Sequence, residues 1–493
     1  MMELGGGLGL ALGLAVAAYL LLNWWRHRFS GLPPGPAPWP FLGNILGVDV
    51  VDLLKSLKEL SLKYGPVYTF HLGSRPCVVI AGYQALKESL IDRAEEFGGR
   101  GEFPAVQMWS HGDGIVYGKG ERWKQLRRFA IATLKNFGMG KRSLEERIRE
   151  EAQHLCEEFQ KTEGAPFDPT FFLSCAGSNI ISSLVFGDRF AYDDPKFLEL
   201  MALINSNWRI MSSFWGQLLF IFPKIMGFLP GPHHQIFRNY LKLEAFVNNR
   251  VAQNRSTLDP AHPRDYIDCF LIKMEQEKNN PQSHFNSQTL SKTAVNLFFA
   301  GTETVSSTLR YGLLILLKHP DVEAQLHKEI DEVIGPSRPP SMEDRVKMPY
   351  MDAVIHEIQR FTDIVPMSVP HTVTRATTFR GYHLPKDLNI IPLLCTAHFD
   401  HTQFKDPEKF DPAHFLDKEG KFKKNEAFLA FSAGKRLCLG EGLALTELFI
   451  FLTSLLQRFS LSLDGSRDAL DLSPESQGLG SLPRPYKLRL LPH

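Results

Sequence analysis

Residues 431–440 read Phe431-Ser432-Ala433-Gly434-Lys435-Arg436-Leu437-Cys438-Leu439-Gly440, and this stretch governs the reading of the whole chain. Cys438 stands between Gly434 and Gly440, two residues after Arg436 and just ahead of the apolar run Leu443–Leu456. A run of that length reads as a helix, and the free N–H groups at its start would keep a nearby sulfur anionic. Gly434 would permit a turn with positive φ, and Gly440 would let a flat ring approach the backbone closely. Arg436 could pair with a carboxylate through charge-assisted bonds. These properties suit a thiolate bound to haem iron, which pushes electron density onto the metal and favours O–O cleavage. An isolated cysteine reads more simply as a buried structural one. The full string Phe431-x-x-Gly434-x-Arg436-x-Cys438-x-Gly440 is what sets this one apart.

The chain has 493 residues, beyond the roughly 250–300 at which single cores stop growing. Two domains or one large two-part fold is therefore expected. A formal charge of +1 with 22% charged residues gives no bulk electrostatic case for nucleic-acid binding. Cys77, Cys156, Cys175, Cys269, Cys395 and Cys438 are scattered without a C-x-x-C pair, which argues against zinc and thioredoxin chemistry. Sparse cysteines in a long chain read as reduced and intracellular.

Leu4 to Leu22 carries no charge, and as a helix it would span about 28 Å, close to a hydrocarbon core of ~30 Å. Trp24 and Trp25 suit the interface, and Arg26, His27 and Arg28 follow. Basic residues after the apolar run predict an uncleaved transmembrane anchor, residues 1–30, with the bulk of the chain in the cytosol. The sequon Asn254-Arg255-Ser256 would then go unused. Leu32-Pro33-Pro34-Gly35-Pro36-Ala37-Pro38 makes residues 31–40 a stiff non-helical hinge, and residues 41–493 the folded body.

Within that body, Tyr68–Leu72 and Cys77–Ile80 read as strands flanking a Gly-Ser-Arg-Pro turn, with further short strands near 374–382, 389–394 and 486–491. Most of the remainder is helical in pattern. The clearest helix runs from about Leu290 to Lys318, is apolar on every side, and stops before Pro320. Residues 400–430 have no clear period, and a loop that long with frequent aromatics points to function. The expected class is mainly α with a small β-rich part.

With the string around Cys438 the chain resembles the cytochrome P450 family. Ala300-Gly301-Thr302-Glu303-Thr304, inside the long helix, is similar to the family's oxygen-activation motif; a buried acid and hydroxyl are costly unless satisfied or used. The resemblance makes Thr302 and Glu303 the catalytic candidates, Thr302 ordering water and Glu303 relaying protons from solvent. Ala300 would face the cofactor, and Gly301 would let a ligand approach the backbone. A satisfied Ser/Thr-rich stripe, continued by Ser306, Ser307 and Thr308, is the plainer alternative. Glu357 and Arg360, at i, i+3 on one helix face, are an ordinary surface ion pair if taken alone. In the family the pair is structural, and it is completed by an arginine where this chain has His414. A neutral imidazole there would be a weaker, pH-sensitive contact.

Trp123 and Arg127 put donor-only groups one turn apart, suited to the haem carboxylates. Arg100, His371 and Arg436 match the family's propionate contacts, Phe431 would shield the sulfur of Cys438, and Gly440 would lie against the ring. The resemblance extends over nearly the whole chain. Asn136-Phe137-Gly138-Met139-Gly140-Lys141-Arg142-Ser143 and Pro370-His371-Thr372-Val373-Thr374-Arg375 place it in microsomal family 2, nearest the A, B, F and G subfamilies.

It implies a P450 fold behind an N-terminal transmembrane anchor, haem b (iron protoporphyrin IX) with Cys438 as the iron ligand, and monooxygenation of a lipophilic molecule. The xenobiotic, steroid, fatty acid or small aromatic nature of that molecule stays open. No G-x-G-x-x-G or Walker lysine motif is present, so NADPH and flavin would act only through NADPH–cytochrome P450 reductase, in some members with cytochrome b5. The location implied is the endoplasmic reticulum membrane, catalytic domain on the cytosolic face.

Basic residues Lys124, Arg128, Lys135, Lys141, Arg142, Lys421, Lys423, Lys424 and Lys435 could steer such a donor. Candidate pocket walls are Phe103, Val106, Ile115, Val116, Tyr117, Asn207, Phe214, Phe220, Phe298, Phe299, Val365, Val369 and Leu479, each also a plausible core residue. The apolar stretch from Phe214 to Leu229 could dip into the membrane. An isomerase or lyase on the same fold, and a non-catalytic haem carrier, are the rival functions.

Overall fold

The computed structural model describes residues 11–22, 31–50, 52–138, 142–478 and 480–493. Residues 11–22 are helical, and no helix among the described residues is long and apolar enough to cross a membrane. Most of the expected anchor, with Trp24, Trp25 and Arg26–Arg28, lies outside the described residues, as do Lys141 and Leu479.

The proline-rich segment is more than the stiff linker expected of it. The carbonyls of Pro33 and Pro34 accept bonds from Thr69 Oγ1 (2.7 Å) and Thr69 N (2.8 Å). A Cβ on Gly35 would sit 2.0 Å from the Thr69 carbonyl oxygen. The segment is therefore docked along an edge strand, whose outer carbonyls and amides need partners.

That strand, β1 (Val67–Leu72), opens a five-stranded sheet with β2 (Arg75–Ala81), β3 (Gly99–Arg100), β4 (His371–Thr372) and β5 (Asn389–Leu393). The order is β1-β2-β5-β4-β3, parallel only between β2 and β5. The β1–β2 hairpin turns on Gly73-Ser74 alone, because Arg75 and Pro76 already pair with Leu72 and His71. Alternate residues of β2 feed two cores: Val78 and Ile80 one, Cys77, Val79 and Ala81 the other. Gly99 and Arg100 pair with Thr372 and His371, which sets Arg100 directly across from His371.

The rest is mainly helical, as expected. The helices that position the site are α1 (Pro104–Ser110), α2 (Gly120–Asn136), α3 (Thr170–Val185), α4 (His233–Ser256), α5 (Ser287–Lys318), α6 (Pro349–Thr362) and α7 (Glu441–Arg458). The 32-residue α5 begins at a capping box, in which Asn286 and Thr289 exchange side-chain-to-backbone bonds, and stops before Pro320. It is buried along nearly its whole length inside the largest apolar cluster, against α3, α4, α6 and α7. Asn254 of the sequon is buried, its amide nitrogen bonded to Asp265 and Asp268 (2.8–3.0 Å), so the fold itself consumes the glycosylation acceptor.

Candidate active site

The loop before α7 is closed by a bond from Cys438 N to the Phe431 carbonyl (2.9 Å). Gly434 has φ +68°, and a Cβ there would fall 1.8 Å from the Leu90 carbonyl oxygen, so only glycine fits this turn. Of the six cysteines, all free, Cys438 is the exposed one because it faces a cavity. Burial of that cavity pushes the thiol's pKa up. The backbone N–H groups of Gly440 and Glu441 and the Arg127 cation oppose the push.

The opposite wall is one face of α5. Asn296, Leu297, Ala300, Gly301, Thr304, Val305 and Thr308 line it, at the i, i+1, i+4 recurrence of a helix face. Ile115, Val116, Ile181, Val365 and Val369 add apolar surface, and Phe431 and Gly440 line the same cavity as the sulfur.

Between these walls converge three guanidinium groups, Arg100, Arg127 and Arg436. Arg436 lies 3.5 Å above the Trp123 ring and donates to the carbonyls of Gly98 (2.9 Å) and Gly118 (3.0 Å). Arg100 donates to the Val369 carbonyl (3.0 Å), and Arg127 to that of Leu437. Burial first, then mutual repulsion, lowers Arg436 to about 8 and Arg100 to about 10. His371 is lowered to about 3 by burial and the neighbouring Arg100.

Four buried nitrogens of this set have no partner among the described residues: Arg100 Nε, Trp123 Nε1, His371 Nε2 and Arg436 Nη1. Unpaired buried donors and clustered cations are unfavourable unless anions join them. The set fits a flat dicarboxylate such as haem, whose carboxylates would meet these donors while its iron met Cys438. His371 Nδ1 faces the Phe97 carbonyl (2.8 Å) and must donate there; its Nε2 becomes a donor only in the protonated ring, which an adjacent carboxylate favours.

Thr302 is not at the cavity, contrary to expectation. Its hydroxyl donates to the Phe298 carbonyl (2.8 Å) and accepts from Ser178 Oγ (2.9 Å) on α3, and the residue is fully buried. Position 302 falls on the face of α5 that packs on α3. Thr304, two residues on, lines the cavity and bonds the Ala300 carbonyl (2.9 Å). Gly301 also has a packing cause: a Cβ there would come within 2.9–3.2 Å of Ile181. Glu303 is buried beside Thr304, with Oε1 unpartnered. Burial raises its carboxyl to about 7, against the pull of Arg310 and Arg209.

Glu357 and Arg360 are no surface pair. Both are fully buried and joined twice at 2.7 Å. Arg360 also donates to the carbonyls of His398 (2.8 Å), Pro407 (2.9 Å) and Lys409 (3.2 Å), and Glu357 Oε1 accepts from Asp411 N (2.9 Å). The network thereby pins the irregular 398–414 segment. His414 presents Nδ1 to Glu357 Oε1 (3.1 Å) and Nε2 to the Lys405 carbonyl (2.5 Å). Both partners are acceptors, so the site favours the protonated ring, which donates from both nitrogens.

Several expected pocket walls serve other ends. Phe103 stacks on Tyr117 and meets Phe220, each at 5.7 Å, in an aromatic cluster. Val106 is core, and Phe298 packs on Phe186 (5.4 Å). Asn207 accepts a bond from Asn239 (2.9 Å), Phe299 packs against Trp208 (5.8 Å), and Phe214 is exposed at the surface. The sequence reading missed Asn296, Thr304, Ile181, Gln359 and Glu447 as cavity residues. The i+4 row from Ala300 through Thr304 and back to Asn296 was the available signal for two of them.

The sequence profile described as "Cytochrome P450" matches residues 33–490. Rabbit (Oryctolagus cuniculus) cytochrome P450 2G1 is 53% identical over 492 residues, 99% of this chain and 100% of that protein. Mouse (Mus musculus) cytochrome P450 2F2 is 54% identical over 93% of each chain, and mouse cytochrome P450 2C44 is 51% identical over the full length of both.

Proposed function

Because this chain belongs to the cytochrome P450 family, within microsomal family 2, and is a haem b monooxygenase, we propose that it oxygenates lipophilic small molecules in the cavity between α5 and Cys438. Cys438 is the iron ligand, and electrons come from NADPH–cytochrome P450 reductase. The observation that carries this reading is the exposed Cys438 thiol sharing one cavity with Arg100, Arg127 and Arg436 opposite the Thr304 face of α5. Haem, when bound, supplies the activation of dioxygen and the transfer of one oxygen atom to substrate.

The chain's own residues do the rest. The N–H groups of Gly440 and Glu441 and the Arg127 cation favour the Cys438 sulfur as an anion against the opposing effect of burial. Arg100, Trp123 and Arg436 would hold the two carboxylates of the cofactor, with His371 beside them. Proton handling passes from Thr302 to Thr304, whose hydroxyl orders water at the cavity wall. Glu303, with a pKa of about 7, exchanges protons near neutrality. Ile115, Val116, Ile181, Val365 and Val369 exclude bulk water and favour an apolar substrate. Asn296 holds its Oδ1 against the N–H groups of Ile115 (3.1 Å) and Val116 (3.2 Å). That fixes the amide, leaving Nδ2 to donate to an oxygen of the substrate.

The membrane reading rests on exposed apolar groups. Ile225, Phe228 and Leu229 stand out beside Phe214, and Trp39 and Phe41 lie after the anchor, a surface suited to the interface of the endoplasmic reticulum membrane. Lys124 and Lys435 both act on Glu95 and so share a face, on which the reductase, and cytochrome b5, would dock through acidic groups.

Reconstitution with reductase and NADPH, followed by a screen of lipophilic molecules for oxygenated product, tests the proposal. NADPH-dependent product supports it. Rearrangement of a lipid hydroperoxide itself, with no NADPH-dependent oxygenation, points to an isomerase or lyase, and no product under either condition to a haem carrier.

A further inference from the structure

Three residues of α5, four apart, hold one wall of the cavity in place. Gln288 Nε2 donates to Asp113 Oδ2 (2.8 Å). Lys292 Nζ donates to Glu244 Oε2 on α4 (2.7 Å), and the same oxygen accepts Trp109 Nε1–H from α1 (2.7 Å). Asn296 receives the backbone N–H groups of Ile115 and Val116. Trp109, Asp113, Ile115 and Val116 all belong to segment 103–117, of which Ile115 and Val116 line the cavity. The same i, i+4 row continues as Ala300, Thr304 and Thr308 in the cavity wall itself.

Lys292 is the unexpected member of this row. It is an ammonium group, only 5% exposed, inside a helix that is buried along nearly its whole length. Its Nζ lies 4.0 Å from the centre of the Trp109 ring, and that ring stacks on Tyr240 of α4 at 4.7 Å and 12°. A buried cation is costly unless paired, and such pairs specify geometry rather than add stability. Here one carboxylate oxygen joins α1, α4 and α5.

We propose that Lys292 is a positioning residue for substrate: with Gln288 and Asn296 it latches segment 103–117 onto α5, and the latch sets where the Ile115–Val116 wall stands over a bound molecule. The latch depends on the reading of this cavity as the substrate site, but the contacts that build it do not. Without the ammonium, the Glu244 carboxylate loses its buried countercharge and Trp109 its cation. The polar tie to α4 weakens, while the apolar packing of Val106 and Trp109 remains.

The test uses full-length, haem-loaded protein. Hydrogen exchange of peptides covering 103–117 is compared between the native chain and Lys292→Met, with peptides from 349–362 as internal reference. The latch predicts exchange at 103–117 faster by about tenfold or more, as expected for a lowered local-opening free energy, with the reference unchanged. It also predicts faster dissociation of 4-phenylimidazole, followed at the Soret band, and recovery of both in Lys292→Arg. Equal exchange and equal dissociation in a folded Lys292→Met protein overturn the proposal. If that variant does not fold, Gln288→Leu, which removes the Asp113 bond alone, must raise exchange in the same peptide or the latch is wrong. Failure of the native protein to bind 4-phenylimidazole would count against the cavity's function, while the exchange comparison still decides the latch.

Discussion

Thr302 and Ser178 are joined hydroxyl to hydroxyl at 2.9 Å across the α3–α5 contact, at a point where α5 turns its back on the cavity. Gly177 and Gly301 flank that contact: a Cβ on Gly177 would lie 3.4 Å from the Thr302 carbonyl, and one on Gly301 2.9 Å from Ile181. The threonine of the activation motif nearest the expected role is thus a helix-packing residue. Thr304→Ala is predicted to lower the product formed per NADPH consumed. Thr302→Ala should leave that ratio near the native value and cost about 1–2 kcal/mol of stability, the scale of a lost buried hydrogen bond. Parallel coupling assays and urea titrations check the pair.

The placement of Thr304 shows how far the sequence could be read. The string around Cys438, the length of α5 and the strands β1, β2 and β5 were legible, because they rest on local periodicity and on glycine and proline chemistry. Choosing between Thr302 and Thr304 was not, since two threonines two apart lie on opposite faces of a helix whose rotation is fixed by its neighbours. The pocket walls were the least legible. Phe103, Phe298 and Phe299 have the composition of a ligand pocket, but their rings pack on Tyr117, Phe186 and Trp208 instead. Asn296 carried no motif at all; it acquires its role when the 103–117 segment folds over it.

Glu357 and Arg360 form a fully buried bidentate pair whose remaining donors and acceptors are spent on the 398–414 backbone. Removing one charge strands the other without water. Glu357→Ala is predicted to cost about 3–5 kcal/mol and to release haem, read by denaturant titration and by the haem-to-protein ratio after purification.

His414 makes that network pH-dependent. Burial draws its pKa down, but the bond and charge of Glu357 and the Lys405 carbonyl outweigh it, and the net shift is upward. The folded value therefore exceeds the unfolded one, about 6.5. Its contribution to stability is complete below about pH 6.5 and is lost as pH rises through the folded value. Urea titrations from about pH 6 to pH 9 should show the native chain losing stability with rising pH. His414→Arg should be flatter over that range, because a guanidinium keeps its charge.

Trp123 offers its Nε1–H to no partner among the described residues while its ring supports Arg436 at 3.5 Å. Trp123→Phe keeps an aromatic face and removes the donor. The haem-free protein should be as stable as the native one or slightly more so, since an unsatisfied buried donor is gone. The loaded protein should surrender haem faster to an excess haem acceptor, such as apomyoglobin. A slower or unchanged transfer would remove Trp123 from the carboxylate-binding set.

The account turns on the sulfur of Cys438 ligating haem iron, and the carbon monoxide spectrum of the reduced protein reads that bond directly. The native chain and Cys269→Ser are predicted to show the red-shifted Soret band of thiolate ligation, and Cys438→Ser to lack it. A native protein that binds haem yet never develops that band, or a Cys438→Ser protein that keeps it, would contradict the account.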